Sequence, residues 1–77
     1  MAKVEAVDLE ECYAKRESDK AILVVLPDMD EAWIPKSQIL DESEVYAEGH
    51  RGTLTVTKWI AEQKDISDQG NARYINT

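Results

Sequence analysis

Two side chains in this sequence have the chemistry of a nucleophile and its base. Cys12 is the single cysteine and His50 is the single histidine, and a thiolate activated by an imidazole can carry out nucleophilic catalysis. Cys12 directly follows two glutamates, however, and neighbouring carboxylates raise the pKa of a thiol and lower its reactivity. His50 lies in a turn bracketed by glycines, where the backbone is too free to aim a base. We therefore expect no catalytic residues, with Cys12 a half-buried apolar residue and His50 an exposed one.

Carboxylates are abundant and could in principle hold a metal ion. Asp28, Asp30 and Glu31 cluster in one turn, and their oxygens are ligands that calcium and magnesium accept. A closed site needs six to eight oxygens in a defined order, and no calcium-loop pattern follows. Asp in a turn usually caps backbone groups instead. The sequence also lacks a glycine-rich phosphate loop, so we expect neither a metal nor a cofactor. A hydrolase with a carboxylate-held metal remains a third hypothesis.

Aromatic residues offer a different kind of site, on an outer surface. Trp33 and Ile34 are adjacent in a predicted strand, so their side chains point to opposite faces. If Ile34 fills the interior, Trp33 lies on the outer face; otherwise Trp33 covers one end of a barrel. Exposed aromatic residues act as hot spots in interfaces or as platforms on which bases stack. A tyrosine and two lysines could join Trp33 in one patch, which makes the candidate binding residues Trp33, Lys36, Tyr13 and Lys58.

The charge of the chain narrows the class of partner. Sixteen Asp and Glu against nine Lys and Arg leave a net charge of −7, and such a surface repels polyanions at long range. Nucleic-acid binding depends on clustered cations, whereas the cations here are scattered. We therefore expect a protein partner with a basic surface, or a surface that competes with nucleic acid, and do not expect nucleic acid as the partner. The alternative is that the acidity serves only solubility.

Length and hydropathy bound the architecture that must position these residues. Seventy-seven residues make one small domain that buries only about 60 % of its unfolded surface. The longest apolar run, Ala21 to Pro27, is too short to span a membrane, and the amino terminus lacks the apolar core of a signal peptide. We expect a cytoplasmic protein that does not enter a membrane.

The first half of the chain predicts a bulged strand followed by a hairpin. The alternation of apolar residues from Val4 to Arg16 changes phase near Glu10–Glu11, as a one-residue bulge would cause; a helix from Asp8 to Lys15 is the alternative. Ala21 to Leu26 predicts a strand covered on both faces, because its β-branched residues fall on both parities. A turn containing Pro27 then leads into a return strand from Glu31 to Ile34.

The second half predicts one further strand and a helix. Lys36–Gln38 predicts a tight turn, and Val45–Tyr46 a short strand. Thr53–Thr57 alternates strictly, with Leu54 and Val56 inward and the threonines toward water. Lys58 to Lys64 changes to helical spacing, and its Trp59 is expected to pack against the open end of the sheet. Residues 67–77 are polar and without a pattern.

These elements predict a mainly β fold. Four or five short strands with tight turns indicate a small, strongly bent sheet or an SH3-like or OB-like barrel, with one short carboxy-terminal helix. An α+β fold is the alternative. The expected organisation is a single β domain over residues 1–66 and a polar tail over residues 67–77. An exposed edge strand could also pair two copies into a homodimer.

Four short blocks of the sequence carry a resemblance. They are Lys20–Val24, the Trp-Ile-Pro-Lys-Ser-Gln-Ile block of Trp33–Ile39, Gly52–Leu54 and Trp59–Lys64. Together they resemble a family of short proteins, encoded by bacteriophages and prophages, whose function is generally unassigned. The block at Trp33–Ile39 also echoes the Ile-Pro-Ser segment that closes SH3 barrels, although the tyrosines of an SH3 ligand groove are missing.

The resemblance implies a context but transfers no catalytic residue. It implies a phage gene product in the cytoplasm of a bacterial host, where small acidic phage proteins often bind and inhibit host proteins, including defence nucleases. The leading hypothesis is therefore a non-enzymatic interaction module that modulates a host protein. The alternative is a small barrel that binds nucleotides or single-stranded nucleic acid.

Overall fold

A computed structural model describes residues 3–76, which form five β-strands and one short α-helix. The strands are β1 (Lys3–Glu17), β2 (Ala21–Val25), β3 (Glu31–Pro35), β4 (Arg51–Thr57) and β5 (Asn71–Asn76), and the helix is α1 (Lys58–Gln63). Short 3-10 turns occupy Lys36–Gln38 and Ser67–Gln69. The predicted mainly β fold with one short helix is confirmed, and the sheet is not closed into a barrel. None of the described helices is both long and apolar enough to cross a bilayer.

The sheet is organised around β1, because three antiparallel strands pair with different stretches of it. Residues 13–17 pair with β2, residues 6–13 with β4 and residues 3–8 with β5. β3 pairs with β2, so the order is β3-β2-β1-β4, with β5 beside the first half of β1. An isolated bridge between Ile39 and Val56 attaches the chain after the first 3-10 turn to β4.

A bulge in β1 allows both halves of this long strand to contribute side chains to the same core. The register with β4 shifts between Leu9 and Cys12, and Glu11 adopts a left-handed conformation with φ of 58°. The bulge predicted near Glu10–Glu11 is thus confirmed. The extra residue reverses the alternation, so that Leu9 before it and Cys12 and Ala14 after it are all fully buried. A second irregularity follows Ala14, and both increase the bend of the strand.

The core lies on one face of the sheet and is closed at one end by α1. Thr57 begins the helix, and its hydroxyl accepts a hydrogen bond from the Ile60 amide. This start places Ile60 and Ala61 in the core, at 4 % and 0 % exposure, and leaves Trp59 58 % exposed. The prediction that Trp59 packs against the sheet is therefore wrong. The smaller apolar neighbours fill that position.

The end of the chain differs from the predicted polar tail. Residues 71–76 form β5, which pairs with β1 from Lys3 to Asp8 and buries Ile75. The sheet therefore continues beyond residue 66. Backbone hydrogen bonding to β1 explains why a strand forms here without an alternating apolar pattern. Residue 77 lies outside the described residues.

Two smaller predictions also need correction. Val45–Tyr46 does not form a strand, although Val45 is fully buried. Thr55 is 1 % exposed rather than directed toward water, because the loop after the first 3-10 turn covers it. The Thr55 amide donates to Ser43 Oγ at 3.0 Å, and the Leu40 amide donates to the Thr55 carbonyl at 3.0 Å.

Candidate binding site

Cys12 is a core residue. Its thiol is fully buried and donates to the Leu9 carbonyl at 3.4 Å. Burial raises the pKa of Cys12 to about 11, since the low-dielectric surroundings disfavour the thiolate. The expected low reactivity thus has a different physical cause from the neighbouring glutamates. A thiol with this pKa is protonated at neutral pH and is a poor nucleophile.

His50 is held by its own turn. Its Nδ1 accepts a hydrogen bond from the Tyr46 amide at 3.3 Å, and its ring meets the Tyr46 ring edge-to-face at a centroid distance of 4.4 Å. No hydrogen bond joins His50 to Cys12 anywhere in residues 3–76. The two residues considered as a catalytic pair are therefore occupied by separate structural contacts.

The acidic turn also has structural partners. Asp28 caps it, since its Oδ1 accepts from the Asp30 amide at 3.0 Å and its Oδ2 accepts from Gln69 Nε2 at 2.9 Å. Glu31 forms an ion pair with Lys15 at 2.8 Å. Within the described part of the chain, no group of three Asp, Glu, His or Cys side chains is arranged to hold a metal ion.

The lysines proposed for the binding patch are each ion-paired with a glutamate. Lys36 pairs with Glu17, and this hydrogen bond lowers the pKa of the Glu17 carboxyl. Lys58 pairs with Glu5 at 3.1 Å, and that hydrogen bond raises the pKa of Lys58. Lys58 directly follows the last residue of β4. Arg51, which contacts the Tyr13 ring, is the first residue of that strand, so Lys58 lies roughly 20 Å away from it along the strand. The predicted site is thus reduced to Trp33 and Tyr13.

Trp33 and Tyr13 lie on the same outer face of the sheet. Trp33 is directly opposite Leu23, and Tyr13 is directly opposite Val25; opposite residues project to the same side. Ile34, on the other face, is fully buried. Trp33 is 44 % exposed, and the other three side chains are half-buried. We call Tyr13, Leu23, Val25 and Trp33 the outer patch.

The outer patch corrects one prediction about β2. Both faces of this strand were expected to be covered, whereas only Ile22 and Val24 are buried. Leu23 and Val25 keep access to solvent because no described element covers the outer face of the hairpin. The structure therefore leaves apolar side chains of three strands on one open face, with the Lys15–Glu31 ion pair beside them.

A shallow hollow adjoins the outer patch at Tyr13. The Arg51 guanidinium lies 4.9 Å from the Tyr13 ring centroid, which is within cation–π range. Glu10, Glu11 and Met29 share the lining of this hollow. Apolar, aromatic and acidic groups are thus presented side by side.

Met29 is a site residue that the sequence analysis did not identify. It is 79 % exposed and has a φ of 74°, in the left-handed region that disfavours side chains other than Gly and Asn. The hairpin dictates this conformation: the Leu26 amide donates to the Asp30 carbonyl, and Met29 is the last of the three loop residues between them. Such loops place their last residue in the left-handed region. A large apolar residue in this polar turn is the feature of the sequence that could have identified Met29.

Acidic groups around the hollow and the hairpin turn lack cationic partners. Glu10, Glu11, Asp28 and Asp30 are absent from every ion pair formed by residues 3–76. Four of the nine Lys and Arg are bound instead to other carboxylates: Lys15, Lys36, Lys58 and Arg73. The surface beside Met29 is therefore negative as well as apolar.

The Asp8 cluster has a structural role. Thr55 Oγ1 donates to Asp8 Oδ1 at 2.6 Å, and Arg73 bridges Asp8 and Glu42. Partial burial would raise the pKa of Asp8, but the hydrogen bonds from Arg73 and Thr55 and the Arg73 charge outweigh it and hold the pKa below its ordinary value. These contacts join β1, β4, β5 and the loop at Glu42.

No match to this chain was found among protein-family models, curated protein sequences or solved structures. The function must therefore be inferred from the side chains and their arrangement. The outer patch with Met29 and its acidic border is the surface with the most features that a stable fold alone does not require.

Proposed function

We propose that this chain is a non-enzymatic protein-binding module that recognises its partner through the outer patch and Met29. Exposed aromatic and apolar side chains clustered on a rigid sheet are typical of interface hot spots. Trp33, Tyr13 and Met29 are residue types enriched in interfaces. Strand pairing holds the backbone of Tyr13 and Trp33 in place, and Met29 lies in the hairpin loop between β2 and β3.

The observation that carries this proposal is the conformation of Met29. Its left-handed backbone costs roughly 1 kcal/mol or more for a residue with a Cβ, and the exposed side chain recovers little of this by packing. A turn that served only to connect β2 and β3 would be more stable with Gly at this position. The presence of a methionine at this position is explained if its adaptable thioether contacts a partner.

The charge beside the outer patch supports a basic partner surface. Glu10, Glu11, Asp28 and Asp30 add negative charge close to Met29 and form no ion pair within residues 3–76. Arg51 is a cation that shares the hollow with the two glutamates. Complementary charges at an interface rim accelerate association and set orientation. The net charge of −7 extends this attraction over the whole molecule.

The identity of the partner is proposed from the resemblance alone. The Trp33–Ile39 block implies a phage-encoded protein, and hence a bacterial host protein as partner in the host cytoplasm. Modulation or inhibition of that host protein, including one with a role in defence, is the corresponding function.

Binding of single-stranded nucleic acid is the competing function, and the ion pairs weigh against it. The lysines that it requires, Lys36 and Lys58, are each bound to a glutamate. A site for a polyanion also needs clustered free cations, whereas the hollow beside Tyr13 contains two glutamates. An oligonucleotide that quenched Trp33 fluorescence in a strongly salt-dependent manner would favour this competing function.

Affinity capture from bacterial lysate with four versions of the full chain tests the proposal. Wild type and Trp59→Ala should recover the same partner, because Trp59 is an exposed tryptophan on α1 and lies outside the outer patch. Trp33→Ala and Met29→Gly should lose it. Circular dichroism checks that all four chains are folded. Recovery of identical proteins by all four versions would contradict the proposal, as would loss with Trp59→Ala alone.

A further inference from the structure

The outer edge of β3 is the open edge beside the outer patch. β3 pairs with β2 on one side, and no other strand of residues 3–76 pairs with it. An open strand edge presents backbone donors and acceptors that can bind an added strand. Trp33 lies at the middle of this five-residue strand.

The hairpin register identifies which backbone groups face outward. The Leu26 amide donates to Asp30 O at 2.7 Å, and the Lys36 amide donates to Lys20 O at 2.7 Å. Hydrogen-bonded and non-hydrogen-bonded pairs alternate in an antiparallel ladder. The even-numbered residues from 30 to 36 therefore face β2, and the amide and carbonyl of Trp33 face outward.

The same alternation explains the proline at the end of β3. Pro35 occupies an outward-facing position, so its missing amide hydrogen costs the ladder nothing. With Pro35 at one end and the charged Glu31 at the other, the edge is protected against unrestricted strand addition. The amides that remain available are those of Glu31 and Trp33.

We propose that an extended, basic segment of the partner protein adds to β3 as a further strand, pairing with the Trp33 backbone and packing against the outer patch. This proposal rests on the proposed protein-binding function and specifies how that surface is used. The alternating side chains of the added strand would contact Trp33 and Leu23 on one face. Asp28 and Asp30, in the turn before β3, take part in no ion pair of the described residues and favour lysine and arginine in the added strand.

A second copy of this chain is a poorer occupant on electrostatic grounds. Pairing two β3 edges would bring together two molecules that each carry a net charge of −7, and such repulsion opposes association. A basic segment instead gains from the same charge.

Chemical synthesis of the full chain provides a direct test, because ligation at Cys12 allows a tryptophan methylated on its backbone nitrogen to be placed at position 33. The methyl group removes the outward donor and blocks an incoming strand, while the indole and the pairing with β2 remain. Wild type is first used to select binders from a displayed library of random 12-residue peptides. The selected peptides should be rich in Lys and Arg alternating with apolar residues. The N-methylated chain should bind them at least about tenfold more weakly than the unmethylated synthetic chain.

A second measurement does not depend on the modified chain. Amide hydrogen exchange at Trp33, followed by NMR, should slow markedly when a selected peptide is added, since the amide becomes hydrogen-bonded. Exchange at Ile34, which already faces β2, serves as the internal control.

The following results would each overturn the edge-strand proposal, and each points to a different alternative. Peptides that bind the N-methylated chain normally but fail to bind Trp33→Ala would leave the outer patch as the interface and remove strand addition. Failure to enrich any basic peptide would remove the basic segment as the occupant, and equal binding of the selected peptides by Trp33→Ala would remove the outer patch from the interface. A concentration-dependent dimer in ultracentrifugation that N-methylation abolishes would assign the edge to a second copy.

Discussion

Replacing Met29 by glycine should make the protein more stable. Met29 has a φ of 74°, a conformation that costs a residue with a Cβ roughly 1–2 kcal/mol. Glycine adopts it without this cost but loses more freedom on folding, by roughly 0.5–1 kcal/mol. The side chain is 79 % exposed, so little burial is lost. The net change is a gain of about 1 kcal/mol in the free energy of unfolding.

Met29→Ala is the matched control, because alanine removes the thioether but keeps the left-handed conformation unfavourable. Its stability should stay within about 0.5 kcal/mol of wild type. Urea denaturation followed by circular dichroism measures all three chains. In thermal unfolding, about 1 kcal/mol corresponds to a rise in Tm of roughly 4–8 °C for a domain of this size. If Met29→Gly proved less stable than Met29→Ala, the backbone at Met29 would not be strained, and the main support for the proposed function would be lost.

Two further predictions concern contacts of Asp8 in β1, one with Thr55 of β4 and one with Gly70, which directly precedes β5. Thr55→Val removes the hydroxyl that donates to Asp8 and should lower the free energy of unfolding by about 1–2 kcal/mol at neutral pH. Because the pKa of Asp8 lies below its ordinary value of 3.8, this loss should shrink as the pH falls through that lower pKa. Urea denaturation that shows a pH-independent loss would contradict the prediction. Gly70→Ala would place a Cβ 2.4 Å from the Asp8 carbonyl and 2.7 Å from Val7 Cγ1, so we expect a loss of about 1–3 kcal/mol in the free energy of unfolding. Gly70 has extended backbone with a φ of -129°, which alanine also adopts, so the loss reports the close contact and not backbone strain. Urea denaturation that shows no loss would mean that the chain at Gly70 does not approach β1 this closely.

The bulge and the hairpin could be predicted because they are local. A change of alternation near Glu10–Glu11 has few explanations other than one extra residue, and Pro27 with neighbouring aspartates marks a turn. For Trp33 the sequence left two positions open, the outer face or one end of a barrel, and the burial of Ile34 decides for the outer face. These inferences need only the geometry of one strand.

The errors concern which element covers which face. Thr55 alternates with two core residues, and nothing in the strand itself shows that a loop more than ten residues earlier would cover its other face. Trp59 and Ile60 are adjacent on a helix, and the Thr57 cap decides which of them turns inward. β5 was not predicted because its main contribution to the fold is backbone pairing with β1, and side-chain patterns do not indicate such pairing.

The bulge in β1 connects the core to the proposed interface. Without the extra residue, the side chains after it would change faces, so that Tyr13 would enter the core and Cys12 and Ala14 would lie outside. With it, the first half of β1 has its outer face beside β5 and the loop at Glu42, where Asp8 and Thr55 are covered. The second half directs Tyr13 to a face that no described element covers. The same irregularity that completes the small core therefore also places Tyr13 on the outer face that carries Trp33.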